Sequence, residues 1–323
     1  MSGPLSLAVD IGGSKFVVGL VTPAGEILHA ERHGWRELTP EGVARDIKEA
    51  IHGLLQAYPR CRPTVMGAAI PGLADPQRGL WVESGFSGIR NLPFGQIMED
   101  EFGLPVSLDN DCNACAAAER TYGCCRDIDH FIWITVSNGI GGCIFINGAP
   151  YPGGGGNAGE IGHVVVEEGP GARPCACGHA GCAEMHAAGP ALVKNYLSLG
   201  GAQRIDGEAP SAKNIDTLAR RGDKTARAAY ELEGLYLGRA IAAAVNLINP
   251  QKVVIGGGVS LGFDLFWPSL ERTLRARVYW GANPNLKVEP TALGYNAALL
   301  GAAVLSFAGT PRPPGNDKNH EGD

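Results

Sequence analysis

The chain has 323 residues, 45% of them hydrophobic, which is enough for a large core and for two domains of ordinary size. Lysine and arginine total 27 against 33 acidic residues, giving a net charge of −6 and a pI near 5.8. No basic run offers a nucleic acid an electrostatic footprint. Residues 1–7 lack a basic stretch leading into an apolar core, and no apolar run reaches the roughly 18 residues of a membrane span. The reading is a cytoplasmic protein without nucleic-acid or membrane partners.

In chain order, residues 5–9 are an apolar run that stops at Asp10, the turn Ile11-Gly12-Gly13-Ser14 follows, and residues 16–21 form a second β-rich run. A turn at Pro23-Ala24-Gly25-Glu26 leads to a third strand over 27–31. Val43, Ile47, Ile51, Leu54 and Leu55 then recur at helical spacing after Pro40. Three antiparallel strands followed by a helix do not open a dinucleotide-binding fold. Residues 65–70 form a buried strand running into Pro71-Gly72. Residues 105–108 form another, which delivers Asp109-Asn110-Asp111 to an alanine-rich helix over 113–121.

The opening pattern then returns. Residues 131–136 are apolar, Ser137-Asn138-Gly139-Ile140-Gly141-Gly142 is a glycine turn, and 143–146 is a returning strand. This duplication predicts two lobes of one design, facing one another. Residues 214–247 read as helical up to Pro250, a strand over 252–255 enters Gly256-Gly257-Gly258, and a last helix covers 296–305. The expected division is an N-terminal α/β lobe over 1–112, completed by a C-terminal helix near 292–308, a larger lobe over 113–291, and a flexible, proline-rich tail over 309–323.

Glycine lacks a Cβ, so a glycine turn lets backbone N–H groups approach a phosphate. Gly12 and Gly13, Asn138, Gly139 and Gly141, and Gly256 to Gly258 together fit a nucleoside triphosphate lying between the lobes, although each turn alone could be an ordinary hairpin. No GxxxxGK[ST] motif is present. Asp10 is placed either to hold Mg²⁺ through water or to cap its own turn, and Lys15 either to meet a phosphate or to lie exposed on a strand. Asp111 is either the carboxylate that takes a hydroxyl proton in phosphoryl transfer or part of an N-cap cluster with Asn110.

Of the nine cysteines, Cys175, Cys177 and Cys182 fall in one glycine-bearing loop, and His163 stands 12 residues before the first. Three thiolates and an imidazole make a closed, structural Zn²⁺ site. His163 is preferred over His179 as the fourth ligand, because a ring inside the turn would struggle to face the metal its neighbours hold. Cys61, Cys112, Cys115, Cys124, Cys125 and Cys143 lie among small apolar neighbours and read as packing residues, Cys112 and Cys115 included despite their CxxC spacing. Zinc held there would fix Glu160 and Glu184 as readers of sugar hydroxyls.

These segments resemble the ROK family of sugar kinases and repressors over nearly the whole chain. The match is carried by DIGGSK at 10–15, IPG at 70–72, NLPF at 91–94, DND at 109–111, NGIGG at 138–142, NAGEIGH at 157–163, CACGHAGCAE at 175–184 and INPQKVVIGGG at 248–258. The resemblance implies an α/β, two-lobed, actin-like (ribonuclease H-like) ATPase fold and transfer of phosphate from ATP to a hexose or N-acetylhexosamine, a glucose-type 6-hydroxyl first. It makes Asp111 the catalytic base, assigns sugar contacts to Asn110, Glu160, His163 and Glu184, with Gly72 and Ser84 nearby, and zinc to His163, Cys175, Cys177 and Cys182. It also implies a homodimer or homotetramer. Ser137-Asn138 departs from the family's usual Gly-Thr.

Three other readings compete. Repressors of the family carry a helix-turn-helix ahead of the first strand, where this sequence has about four residues. Gly256 to Gly262 could be a dinucleotide fingerprint, but only about 60 residues follow it. A catalytically inactive sugar-binding protein is the third, and Asp111 speaks against it.

Overall fold

A computed structural model describes residues 3–309. The tail expected over 309–323 therefore lies, beyond Gly309, outside the described residues. The chain divides into two compact units, one running to Tyr122 and resuming at Asn296, the other covering Gly123–Tyr295.

The first unit contains β1 (Ser6–Ile11), β2 (Lys15–Val21), β3 (Ile27–Gly34), α1 (Pro40–Ala57), β4 (Val65–Ile70), β5 (Leu73–Asp75), β6 (Leu80–Ser84), β7 (Ile89–Leu92), α2 (Phe94–Phe102), β8 (Val106–Asn110) and α3 (Asp111–Thr121). Its main sheet has the order β3-β2-β1-β4-β8. The first three strands pair antiparallel, while β1, β4 and β8 run parallel. Thr39 caps α1 by accepting from the Gly42 amide at 3.1 Å, and Pro40 suits the first turn because its missing N–H is not needed there. Val43, Ile47, Ile51 and Leu54 point one fully buried face into the core. The unit extends to Tyr122 rather than 112 and so takes in all of α3.

The second unit contains β9 (Phe131–Val136), β10 (Ile140–Ile146), β11 (Ala149–Pro150), α4 (Ala183–Ala187), α5 (Gly189–Ser198), α6 (Ala212–Arg220), α7 (Lys224–Ile248), β12 (Lys252–Gly256), α8 (Phe263–Arg277) and β13 (Lys287–Pro290). Its sheet order is β11-β10-β9-β12-β13, again three antiparallel strands followed by two parallel ones. The helix expected over 214–247 is two helices. Gly222, at φ 94°, turns the chain after α6, and Asp223 caps α7 by accepting from the Ala226 amide at 2.7 Å. Left-handed Asn249 ends α7 just before Pro250. Gly234 and Gly238 let α8 lie close: a Cβ on either would come within 2.8 Å of the Leu270 amide or 2.7 Å of Thr273.

The chain then returns to the first unit as α9 (Ala297–Ala308), which packs on β4 and α3. A Cβ at Gly67 would strike the Ala302 carbonyl, and one at Gly301 the Ala114 carbonyl, so small residues set that packing. Among the described residues no helix is long and apolar enough to cross a membrane.

Candidate active site

In the first unit the parallel register creates the site. Asp10 pairs with Ala69, Ala69 with Asp109, and Ile70 with Asn110, so β1, β4 and β8 end together and present Asp10, Gly72, Asn110 and Asp111 at one edge. Carboxyl ends of parallel strands are where open α/β sheets place ligands. Asn110 caps α3, its Oδ1 accepting from the Cys112 amide at 2.8 Å, while its Nδ2 donates to the Gly72 carbonyl at 2.8 Å. Gly72 has φ 88°, and a Cβ there would run into the Glu83 carbonyl and approach Ser84 Cα at 3.3 Å. Gly72, Ser84 and Asn110 are thus brought together, and Ser84 is buried at the end of β6.

Asp111 opens α3 half-buried, its Oδ1 accepting from the Cys112 amide at 2.9 Å. Burial pushes its carboxyl up to about 6, against hydrogen bonds from Cys112 and Asn110 that favour the anion. Asp10 rises to about 7, first through burial and then through the negative charge of Asp111, with Lys15 and Arg32 pulling the other way. Cap and carboxylate are therefore divided between neighbours: Asn110 caps the helix, and Asp111 starts it. Lys15 is exposed at the start of β2. The Gly12 amide donates to the Lys15 carbonyl at 2.9 Å, and a Cβ at Gly13 would meet nothing nearer than Phe86 at 3.7 Å, which leaves that turn open on one side.

In the second unit the glycines serve different ends. A Cβ at Gly256 would enter the Trp133 ring, and Gly257, at φ 85°, lies against the Val136 carbonyl. A Cβ at Gly139 would come within 2.5 Å of Glu184 Oε2. At these three positions the chain's own packing requires glycine on the Cβ side. Gly258 has nothing within 4 Å of a Cβ and faces open space. It lines a cavity of about 570 Å³ with Asn138, Asp216, Tyr230 and Val259, a volume in the range of small-molecule sites. Asp216 and Tyr230 were missed in the sequence because α6 and α7 read there as one structural helix. Nothing in their spacing marks them.

The cysteine loop is a tight hairpin: the Cys175 amide donates to the His179 carbonyl at 2.7 Å, the Gly181 amide to the Arg173 carbonyl at 2.8 Å, and Gly178 and Gly181 supply φ values of 90° and 84°. The Ala183 amide donates to the Val164 carbonyl at 2.9 Å, which sets Cys182 beside His163. Ligand atoms of His163, Cys175, Cys177 and Cys182 all lie within 4.8 Å of one another. Cys177 and Cys182 Sγ are 3.6 Å apart, and Cys175 Sγ is 3.7 Å from His163 Nδ1. Sulfurs about 2.3 Å from a tetrahedral ion stand about 3.8 Å apart, so the set fits zinc. Burial, then the neighbouring thiols, push the Cys182 thiol up to about 12, a crowding that a divalent cation relieves. His179 gives the loop its backbone, and His163 turns Nε2 toward Glu160 Oε2 at 3.8 Å. Among the described residues Cys112 and Cys115 join no such group.

The ROK family model matches residues 6–308. The glucokinase of Thermotoga maritima is 32% identical over 309 residues, covering 93% of this chain and 96% of that protein. The N-acetylglucosamine repressor of Escherichia coli O157:H7 is 29% identical over 94% of this chain and 75% of its own length. Among solved structures, a ROK family glucokinase from Streptomyces griseus in complex with glucose and AMPPNP superposes with a TM-score of 0.82 at 31% identity, over 94% of this chain and 100% of that one. The α/β fold, with its repeated five-stranded sheet, is the two-lobed, actin-like fold of these proteins, and the chain belongs to the ROK family.

Proposed function

We propose that the chain transfers the γ-phosphate of ATP to a hydroxyl of a hexose or N-acetylhexosamine, a glucose-type 6-hydroxyl first. The observation that carries this is Asp111: a half-buried carboxyl at the end of a parallel strand, one oxygen tied to the Cys112 amide, with a proton affinity near 6 that leaves it mainly ionised at neutral pH. It accepts the proton of the attacking hydroxyl as that oxygen bonds to the γ-phosphorus and the bond to ADP breaks. Asn110, held by the Gly72 carbonyl, orients the sugar, together with Gly72, Ser84, Glu160, His163 and Glu184. Gly12, Gly13, Lys15, Asn138, Gly139, Gly141 and Gly256 to Gly258 receive the nucleotide, whose base takes the cavity beside Gly258.

Asp10, pressed by the charge of Asp111, is a hard oxygen donor suited to Mg²⁺, which would neutralise charge on the phosphates. His163, Cys175, Cys177 and Cys182 would hold Zn²⁺ through four protein ligands, which would leave no position for water and give the ion a structural part. A coupled ADP-release assay over a panel of hexoses and hexosamines tests the reading. Asp111→Ala is expected to abolish turnover while sugar binding survives, and undiminished turnover rejects the assignment. The repressor relatives favour a second reading, a sugar-sensing or catalytically inactive ROK protein. That protein would bind sugar and release no ADP.

A further inference from the structure

The short segment that leaves the cysteine loop holds both ends of the second glycine turn. Glu184, two residues past Cys182, accepts from the Ile140 amide through Oε2 at 3.0 Å. Five residues on, the Gly189 amide donates to the Ser137 carbonyl at 2.7 Å. The turn closes internally through the Ser137 amide and the Gly139 carbonyl, at 2.9 Å. The carboxylate also occupies the space a side chain at Gly139 would need. Two independent observations, a hydrogen bond and a steric requirement, therefore place the Glu184 head group against this turn.

We infer that Glu184 is a positioning residue for the nucleotide, acting through the Ser137–Ile140 turn. Oε2 fixes the turn by its bond to Ile140, and Oε1 remains for a sugar hydroxyl. One carboxylate then serves both substrates, and occupancy by sugar stiffens the turn that receives the phosphates. The turn's Ser137-Asn138 start is exposed, so the bonds at Ser137 and Ile140 anchor it to the rest of the unit. An anchored backbone binds a phosphate better than a mobile one because less ordering is left to do on binding. This rests on the kinase reading above.

The test uses the full chain and AMPPNP binding by calorimetry, without sugar, followed by steady-state kinetics. Glu184→Gln keeps an acceptor for the Ile140 amide, so it should leave AMPPNP affinity within about twofold while raising the sugar KM. Glu184→Ala removes the acceptor and should weaken AMPPNP about tenfold, as expected for losing a bond to a charged group. Gly139→Ala, whose methyl would press on Glu184 Oε2, should weaken AMPPNP comparably in the parent chain and hardly at all in the Glu184→Ala background, where the methyl has room. Additive losses in that cycle, or unchanged affinity in a Glu184→Ala protein whose melting temperature and zinc content match the parent, overturn the inference. Should the parent chain bind no AMPPNP, the kinase reading itself fails. Should it bind and turn over while the variants match it, only the role of Glu184 fails.

Discussion

Glu233 offers a sharp test of how the second unit is stabilised. It lies on α7 with no exposed surface, and neither carboxyl oxygen has a hydrogen-bond partner among the described residues. Burial alone pushes its proton affinity well above the usual 4.5, so folding favours the neutral form. The unfolded chain releases that proton near 4.5. Stability from this group is therefore complete below that value and is lost as pH rises toward the folded value, at about 1.4 kcal/mol per pH unit. A loss on that slope is a sizeable part of the 5–15 kcal/mol typical of a domain. Glu233→Gln keeps the shape and an unpaired polar group at every pH but cannot ionise. In urea unfolding followed by tryptophan fluorescence, with Trp133, Trp267 and Trp280 reporting on this unit, the variant should gain on the parent steadily from pH 5 to 7. Parallel pH curves for the two proteins would refute the reasoning.

Three other outcomes follow from the site. The raised proton affinity of Asp111 sets an acid limb: kcat/KM should fall about tenfold per unit below a pH near 6, as a full pH profile will read, with Asp10 and Asp111 titrating as a coupled pair. Asp111→Asn should lower kcat by about 10² to 10⁴, the usual worth of general-base catalysis. It should also raise the melting temperature at pH 8, because ionising the parent's buried carboxyl opposes folding, and a melt that falls contradicts that account. Chelation should lower melting temperature and sugar affinity together. Elemental analysis should find about one zinc per chain, and its absence would remove the basis for the metal site.

The strands were legible because apolar runs bounded by turns leave little choice. Residues 65–70 and 131–136 are strands β4 and β9 with those same bounds. The β5-β6-β7 sheet was not read, since its strands are three to five residues long and each buries a single apolar residue, Ala74, Trp81 and Ile89, with Trp81 donating to the Pro71 carbonyl at 2.8 Å. The break between α6 and α7 was hidden because apolar periodicity resumes after three residues, and only the capping geometry of Asp223 reveals it. The cysteine cluster could be read because ligand chemistry is written in residue type. The glycines could not: composition cannot say which of them faces open space, as Gly258 does, and which clears room for Trp133, Val136 or Glu184.

The two units share one strand order, yet their strand ends carry different chemistry, and the register explains how each is held. In the first, a row of paired positions across β1, β4 and β8 ends in Asp10 and Asn110-Asp111, so like charges are gathered where a helix N-terminus and a cation can offset them. In the second, Gly256 pairs with Thr135 and Ile255 with Pro290, the charge of Glu289 one position back is offset by Lys252 at 2.8 Å, and Gly256 and Gly257 admit Trp133 and the backbone of Val136. A neutral, closely packed edge of this kind suits a cavity for a flat, largely apolar group, whereas buried carboxylates suit proton transfer and a metal ion. Duplication of the sheet thus supplied two similar platforms. In the proposed function, the division of labour between them rests on the residues at and just past the ends of these parallel strands.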